Sequence, residues 1–250
     1  MAKIELTERG SGHPVVLIHG FPFNSHLWDN FSTRLEKSFR VILVDLPGFG
    51  RSEAFSEPHT VDHAASEVIQ ALKGLGITEC SAVGHSLGGY VVLAMAEIEP
   101  LLFSKLVLFH STALADPKEK KENRDKVIEF VNRNGAEAFT SGFINPLFAD
   151  QKHVEIEQVR KIAIQAKKDT VIAYTKAMRD RPDRTAVLTQ FPKPILIIVG
   201  EKDPGISVES VENQASLSSD VKVHPMKNTG HMGMFENPEE SAHTIIQFLK

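Results

Sequence analysis

The chain has 250 residues, 42% hydrophobic and 24% charged, with 28 Lys and Arg against 32 Asp and Glu. That length accommodates one large α/β domain or a main domain carrying a smaller insertion, and a formal charge of -4 offers nucleic acid no general basic surface. No apolar run is long enough for a bilayer, Met1-Ala2-Lys3-Ile4-Glu5 lacks the apolar stretch of a secretory signal, and a lone cysteine, Cys80, excludes an internal disulfide. A cytoplasmic protein without a membrane partner is expected, with Cys80 a buried, inert thiol at the start of a strand.

In chain order, Lys3 to Glu8 is strand-like and Gly10-Ser11-Gly12 makes a turn. Pro14 to Ile18 then forms a buried strand that ends at His19-Gly20. Its continuous apolarity requires cover on both faces, as in a parallel sheet flanked by helices. Ser25 is expected to cap a helix bearing Leu27, Phe31 and Leu35 at helical spacing, and Arg40 to Leu46 forms the next strand. Pro47-Gly48-Phe49-Gly50 breaks the chain, Thr60 to Leu75 has a helical period, and a further short strand leads to Gly84-His85-Ser86-Leu87-Gly88. The helix beyond runs to about Glu99, where Pro100 stops it, and Lys105 to Phe109 is again a strand.

Between Thr112 and Gln190 the texture becomes helical and interrupted. This stretch carries 15 Lys and Arg against 12 Asp and Glu, whereas the remainder carries 13 against 20. Phe130, Phe139, Phe143, Phe148, Tyr174 and Met178 are expected on the apolar faces of its helices. Residues 112–190 therefore predict an inserted helical cap, with residues 1–111 and 191–250 forming the core. Ile195 to Val199 resumes the strand pattern, Ser207 to Leu217 fits a helix, and Val221 to His224 is a last strand. Asn237-Pro238-Glu239-Glu240 predicts the start of a final helix, with an N-cap, a first-turn proline and a capping-box glutamate. Strands alternate with helices, so the predicted fold class is α/β, a doubly wound and mainly parallel sheet.

The chemistry starts at Ser86. A serine between a strand and a helix, fenced by Gly84 and Gly88, sits on a turn tight enough to strain its backbone and raise its hydroxyl above the sheet. The helix N-terminus behind it offers free N–H groups to a developing oxyanion. Serine needs a base, and the base needs an acid to fix its tautomer. Functional groups collect beyond the carboxyl ends of parallel strands, which leaves His19, His85, His110, His224 and His231 as candidate bases. His85 is expected to pack to one side of the elbow and His19 to point into the turn before Phe21. His231, on a glycine-bearing loop after the last strand, is preferred over His224 and His110. Asp203, between a glycine and a proline after the strand Ile195 to Val199, is the preferred acid, with Glu201 as the alternative.

The order Ser86, Asp203, His231 and four further segments resemble the α/β-hydrolase superfamily. Those segments are His19-Gly20-Phe21-Pro22, Asp45-Leu46-Pro47-Gly48-Phe49-Gly50-Arg51-Ser52, Gly200-Glu201-Lys202-Asp203 and Gly230-His231. The resemblance covers nearly the whole chain, except that the family's sheet usually has one more strand at the amino end. It implies Ser86 as nucleophile, His231 as base, Asp203 as orienting acid, the backbone N–H groups of Phe21 and Leu87 as the oxyanion hole, and a structural role for Asp45.

The expected activity is cofactor-independent and metal-free cleavage of a small-molecule ester, thioester or lactone through an acyl-enzyme, by a monomer or homodimer. The pattern is most similar to the esterase, enol-lactonase and cofactor-free haloperoxidase-like group. Carbon–carbon bond hydrolysis and perhydrolysis are the alternative chemistries, and a non-catalytic ligand-binding receptor is the alternative class. Neither Gly48-Phe49-Gly50 nor Gly84 to Gly89 completes a nucleotide-binding motif.

Overall fold

A computed structural model describes residues 3–54 and 59–250. The chain runs β1 (Leu6–Arg9), β2 (Pro14–Ile18), α1 (Asp29–Leu35), β3 (Arg40–Val44), α2 (Val61–Gly74), β4 (Cys80–His85), α3 (Leu87–Ile98) and β5 (Phe103–Phe109). Five helices follow: α4 (Lys118–Asn134), α5 (Ala136–Phe143), α6 (Ile156–Ala163), α7 (Lys168–Asp180) and α8 (Thr185–Gln190). The chain then returns to β6 (Ile195–Gly200), α9 (Val208–Ala215), β7 (Val221–Met226), α10 (Gly233–Glu236) and α11 (Pro238–Leu249).

Among the described residues the strands form one seven-stranded sheet in the order β1-β3-β2-β4-β5-β6-β7. Every neighbouring pair is parallel except β1 with β3. The strands' continuous apolarity is spent on two faces. Val16, Ile18, Ile42, Val44 and Ala82 pack into one core with α2 and α3, while Val15, Leu17, Val41, Leu43 and Val83 pack into the other with α1 and α11. Alternation along each strand thus buries both sides, which is the physical basis of the doubly wound arrangement.

Several local expectations change. Ser25 does not cap the first helical turn. The Asn24 side chain does, accepting from His26 N–H at 3.0 Å, while Ser25 N–H donates to Asp45 at 2.7 Å. That turn, Ser25–Trp28, is a 3-10 segment leading into α1. Asn237 opens α11, but its side chain makes no cap bond to the backbone and instead donates to the Glu240 carboxylate, so the capping box does not form. Thr60 and Ser207 do cap α2 and α9 with their hydroxyls.

Phe130 faces solvent at 44% exposure, because the inward stripe of α4 runs through Val127 and Val131 at helical spacing. Tyr174, Met178 and Phe148 are buried as expected, with Phe139 and Phe143 partly so. The segment between β5 and β6 is wholly helical apart from turns: α4 packs on α7, and the last helix, α8, lies against α3 and α9 beside the sheet. Among the described residues no helix is long and apolar enough to cross a membrane.

Candidate active site

The site is built where β4 ends. Ser86 has φ 52 and ψ -114, a strained conformation for a residue with a Cβ. It is held there by its own N–H donating to Phe109 O at 3.0 Å and its carbonyl accepting from Ser111 Oγ at 2.7 Å. Glycine is required on both sides by close backbone approach. A Cβ on Gly84 would lie 2.3 Å from Gly88 O, and one on Gly88 would lie 2.2 Å from Ile18 O. The Ser86 side chain is left facing a cavity of about 440 Å³ that His231 also lines.

His231 sits on the loop after β7, with its main-chain N–H donating to Leu147 O at 2.7 Å. Its Nδ1 donates to Asp203 Oδ2 at 2.6 Å, which leaves Nε2 as the nitrogen able to accept a proton. Asp203 is fully buried, and its second oxygen accepts from the N–H groups of Gly205 at 2.8 Å and Ile206 at 3.1 Å. Burial by itself would raise this carboxyl. The coulombic pull of the His231 ring, the contact with His110 and the hydrogen bond to His231 together outweigh burial and hold Asp203 well below the usual carboxylate range. No hydrogen bond joins Ser86 Oγ to His231 among the described residues.

The other histidines occupy different posts. His19 accepts the Leu46 N–H on Nε2 at 3.0 Å and donates from Nδ1 to Gly20 O at 2.9 Å, so it pins β2 to the loop after β3. His85 packs beside the elbow, donating from Nε2 to His231 O at 2.9 Å, and burial keeps it neutral. His224 pairs with Glu240 at 2.9 Å on the outer side of β7. His110 is fully buried, with Nδ1 at 3.3 Å from Gly200 N and 3.5 Å from Asp203 Oδ2. One nitrogen cannot both accept from Gly200 and donate to Asp203. Protonated at Nδ1, His110 faces Asp203, and protonated at Nε2 it accepts from Gly200 but leaves a buried donor without an acceptor; burial lowers its affinity for a second proton. Glu201 is exposed, away from this cluster.

Asp45 is buried as a loop organiser, accepting from Ser25 N–H at 2.7 Å and Arg51 N–H at 2.9 Å. Gly50 passes so close that a Cβ would fall 2.2 Å from the Asp45 carboxylate. The N–H groups of Phe21 and Leu87 donate to no protein acceptor among the described residues, and Phe21 lines the Ser86 cavity. His110, Asp203 and His231 offer ligand atoms within 4.8 Å of one another, a spacing a metal ion could use. In this structure His231 Nδ1 and Asp203 Oδ2 are bonded to each other, and His110 Nδ1 lies between Gly200 N and Asp203 Oδ2.

One member of the site has no counterpart among the sequence candidates. Glu236, in α10, accepts from Ala149 N–H at 2.7 Å, Gly230 N–H at 2.9 Å and Met232 N–H at 3.1 Å, so it clasps the loop on both sides of His231. Burial raises its affinity for a proton, against the pull of those three N–H groups. Nothing in its spacing marks it, since its partners are backbone groups placed by loop geometry.

A thermophilic esterase from Thermogutta terrifontis, solved with malate bound, superposes with a TM-score of 0.93 at 31% identity, covering 99% of this chain and 93% of that one. The 2-hydroxy-6-oxo-6-(2'-aminophenyl)hexa-2,4-dienoic acid hydrolase of Metapseudomonas resinovorans is 25% identical over 97% of this chain and 86% of its own. The pimeloyl-[acyl-carrier protein] methyl ester esterase of Methylococcus capsulatus is 26% identical over 96% of each. The family model described as "Alpha/beta hydrolase family" matches residues 15–244, so the chain belongs to the alpha/beta hydrolase family.

Proposed function

We propose that the protein is a serine hydrolase that cleaves a small carboxylic ester, thioester or lactone through an acyl-enzyme. Ser86 attacks the carbonyl carbon. His231 takes the hydroxyl proton on Nε2 and passes it to the leaving group, then repeats the exchange with a water in the second half-reaction. Asp203 orients the ring and stabilises the imidazolium. The amides of Phe21 and Leu87 hold the oxyanion, each donor contributing about 3 kcal/mol in comparable sites. Residues 112–190 act as a cap over the cavity.

The observation that carries this reading is the 2.6 Å bond from His231 Nδ1 to a buried Asp203, with His231 and the strained Ser86 lining one cavity. Relatives whose names include methyl ester esterase and dienoic acid hydrolase support hydrolysis as the reaction class. Turnover of short-chain nitrophenyl esters by the wild type and by Ser86→Ala tests it. Loss of turnover in the variant is expected, together with a single phosphonate adduct on Ser86 in the wild type. Equal rates, or labelling at another residue, would overturn the assignment.

A further inference from the structure

The cavity that holds Ser86 and His231 is apolar along most of its wall, through Phe21, Val127, Phe143, Leu147 and Met178. Its exception lies on α4, where Lys120, Asn123 and Arg124 also line it, one turn before Val127. Among the described residues no acidic side chain lines the cavity. Asp116, the carboxylate bound to this group, is fully buried and shared by two guanidinium groups. Arg124 Nε donates to its Oδ2 at 3.1 Å, and Arg181 Nη1 lies 2.8 Å from its Oδ1.

These two arginines are not equivalent. Arg181 is 3% exposed and committed to the fold: it donates to Met178 O at 2.6 Å and Leu114 O at 2.8 Å, and its guanidinium lies 3.9 Å from the centre of the Tyr90 ring. Arg181 Nη1 donates to Met178 O and meets Asp116 Oδ1 in ionic contact, outside hydrogen-bond geometry. Arg124, 19% exposed, has its one hydrogen bond through Nε, so both of its terminal nitrogens lack a protein acceptor among the described residues. Lys120 is held by a carbonyl alone, donating to Gly205 O at 3.1 Å. Asp203 is tied to His231 and Asp116 is shared by the two guanidinium groups, so the Arg124 terminal nitrogens and the Lys120 ammonium line the cavity without a carboxylate partner among the described residues. Fixing Nε on Asp116 also orients the free edge of the Arg124 fork.

We propose that Arg124, with Lys120 beside it, is a carboxylate subsite, and that the preferred substrates are esters, thioesters or lactones bearing a second, ionised carboxyl group. A planar guanidinium edge with two free N–H donors matches a carboxylate in bidentate geometry, and a half-desolvated cavity strengthens that pair relative to open water. The apolar wall takes the chain between the two carboxyl groups. This inference rests on the hydrolase reading for its substrate class, while the subsite itself can be read without turnover.

The test compares monoethyl glutarate with its neutral isostere ethyl 5-methylhexanoate, by acid release, in the wild type, Arg124→Gln and Arg124→Lys. The ratio of kcat/KM for the anionic over the neutral ester is expected to fall about tenfold or more in Arg124→Gln, mainly through KM, and to recover in part in Arg124→Lys. In the wild type the same ratio falls as salt is raised towards about 0.5 M, as screening weakens a part-exposed ion pair. A ratio that stays within about twofold of wild type in Arg124→Gln overturns the subsite even where both esters are hydrolysed. Calorimetric binding of monoethyl glutarate to Ser86→Ala, with and without Arg124→Gln, separates the two claims. Binding that disappears with Arg124→Gln supports the subsite whatever the fate of the hydrolase reading. Absent binding to Ser86→Ala, or binding indifferent to Arg124, overturns it.

Discussion

Asp203 and His231 are joined by a 2.6 Å bond between Oδ2 and Nδ1, while the other Asp203 oxygen is occupied by the amides of Gly205 and Ile206. The carboxylate is thereby fixed in plane and position by its own loop. Under the proposed roles, Asp203→Asn leaves the packing in place but removes the acceptor that selects the His231 tautomer. Turnover is expected to fall about ten-thousandfold, measured with any ester the wild type cleaves. A loss under about tenfold would move the acid role elsewhere.

The same pair has a consequence for acid stability. Asp203 holds its proton less tightly in the folded chain than an unfolded Asp does, for which the pKa is about 3.9. Its stabilisation is therefore present above that pH and is lost as pH falls below it. Denaturant unfolding at a series of acid pH values should show the wild type losing stability through this window more steeply than Asp203→Asn.

Under the proposed roles, Glu236 positions His231 through the backbone at Gly230 and Met232. In Glu236→Gln the amide NH₂ must face at least one of the three N–H groups the carboxylate now satisfies. The expected cost is about 1–3 kcal/mol in unfolding free energy, read from denaturant melts. A fall in kcat that persists at temperatures where the variant is fully folded separates misplacement of His231 from simple loss of stability.

Gly88 and Gly74 make opposite predictions from the same substitution. A Cβ on Gly88 meets a backbone oxygen at 2.2 Å, whereas one on Gly74, at the end of α2, meets nothing within 4 Å. Gly88→Ala should destabilise by about 1–3 kcal/mol or prevent folding, because neither strand nor helix can yield. Gly74→Ala should be neutral or stabilising by up to about 1 kcal/mol. Thermal melts of the two variants compare them directly.

Cys80 is fully buried at the start of β4, and burial pushes its thiol up to about 12. Alkylating and disulfide reagents should leave it unmodified in the native protein near pH 8 and modify it once the chain is unfolded, as mass spectrometry can read.

The sheet was legible in the chain because its signal is local. Runs such as Pro14–Ile18 and Ile195–Gly200 can satisfy their continuous apolarity only when covered on both faces, so the α/β alternation and the seven strands follow from period and length. Ser86 was legible for the same reason, since the glycines that allow its turn lie within two residues of it. Helix starts were less so. Ser25 and Asn24 are both competent caps; in the fold Asn24 caps the turn while the Ser25 amide is bound to Asp45, twenty residues away.

What belongs to the chain alone, then, is the fold class, the elbow and a short roster of acids and bases at strand ends. Tertiary structure gave that roster its partners: it set Asp203 rather than exposed Glu201 against His231, turned His85 and His19 to backbone partners, and placed Glu236 behind the loop. It also sorted the charges of α4. A sequence reads Lys120, Arg124 and Arg181 as equal surface cations, but hydrogen-bond partners and burial are properties of three-dimensional neighbours. Asp116 and the Tyr90 ring absorb Arg181, and the free edge of Arg124 is left with the cavity.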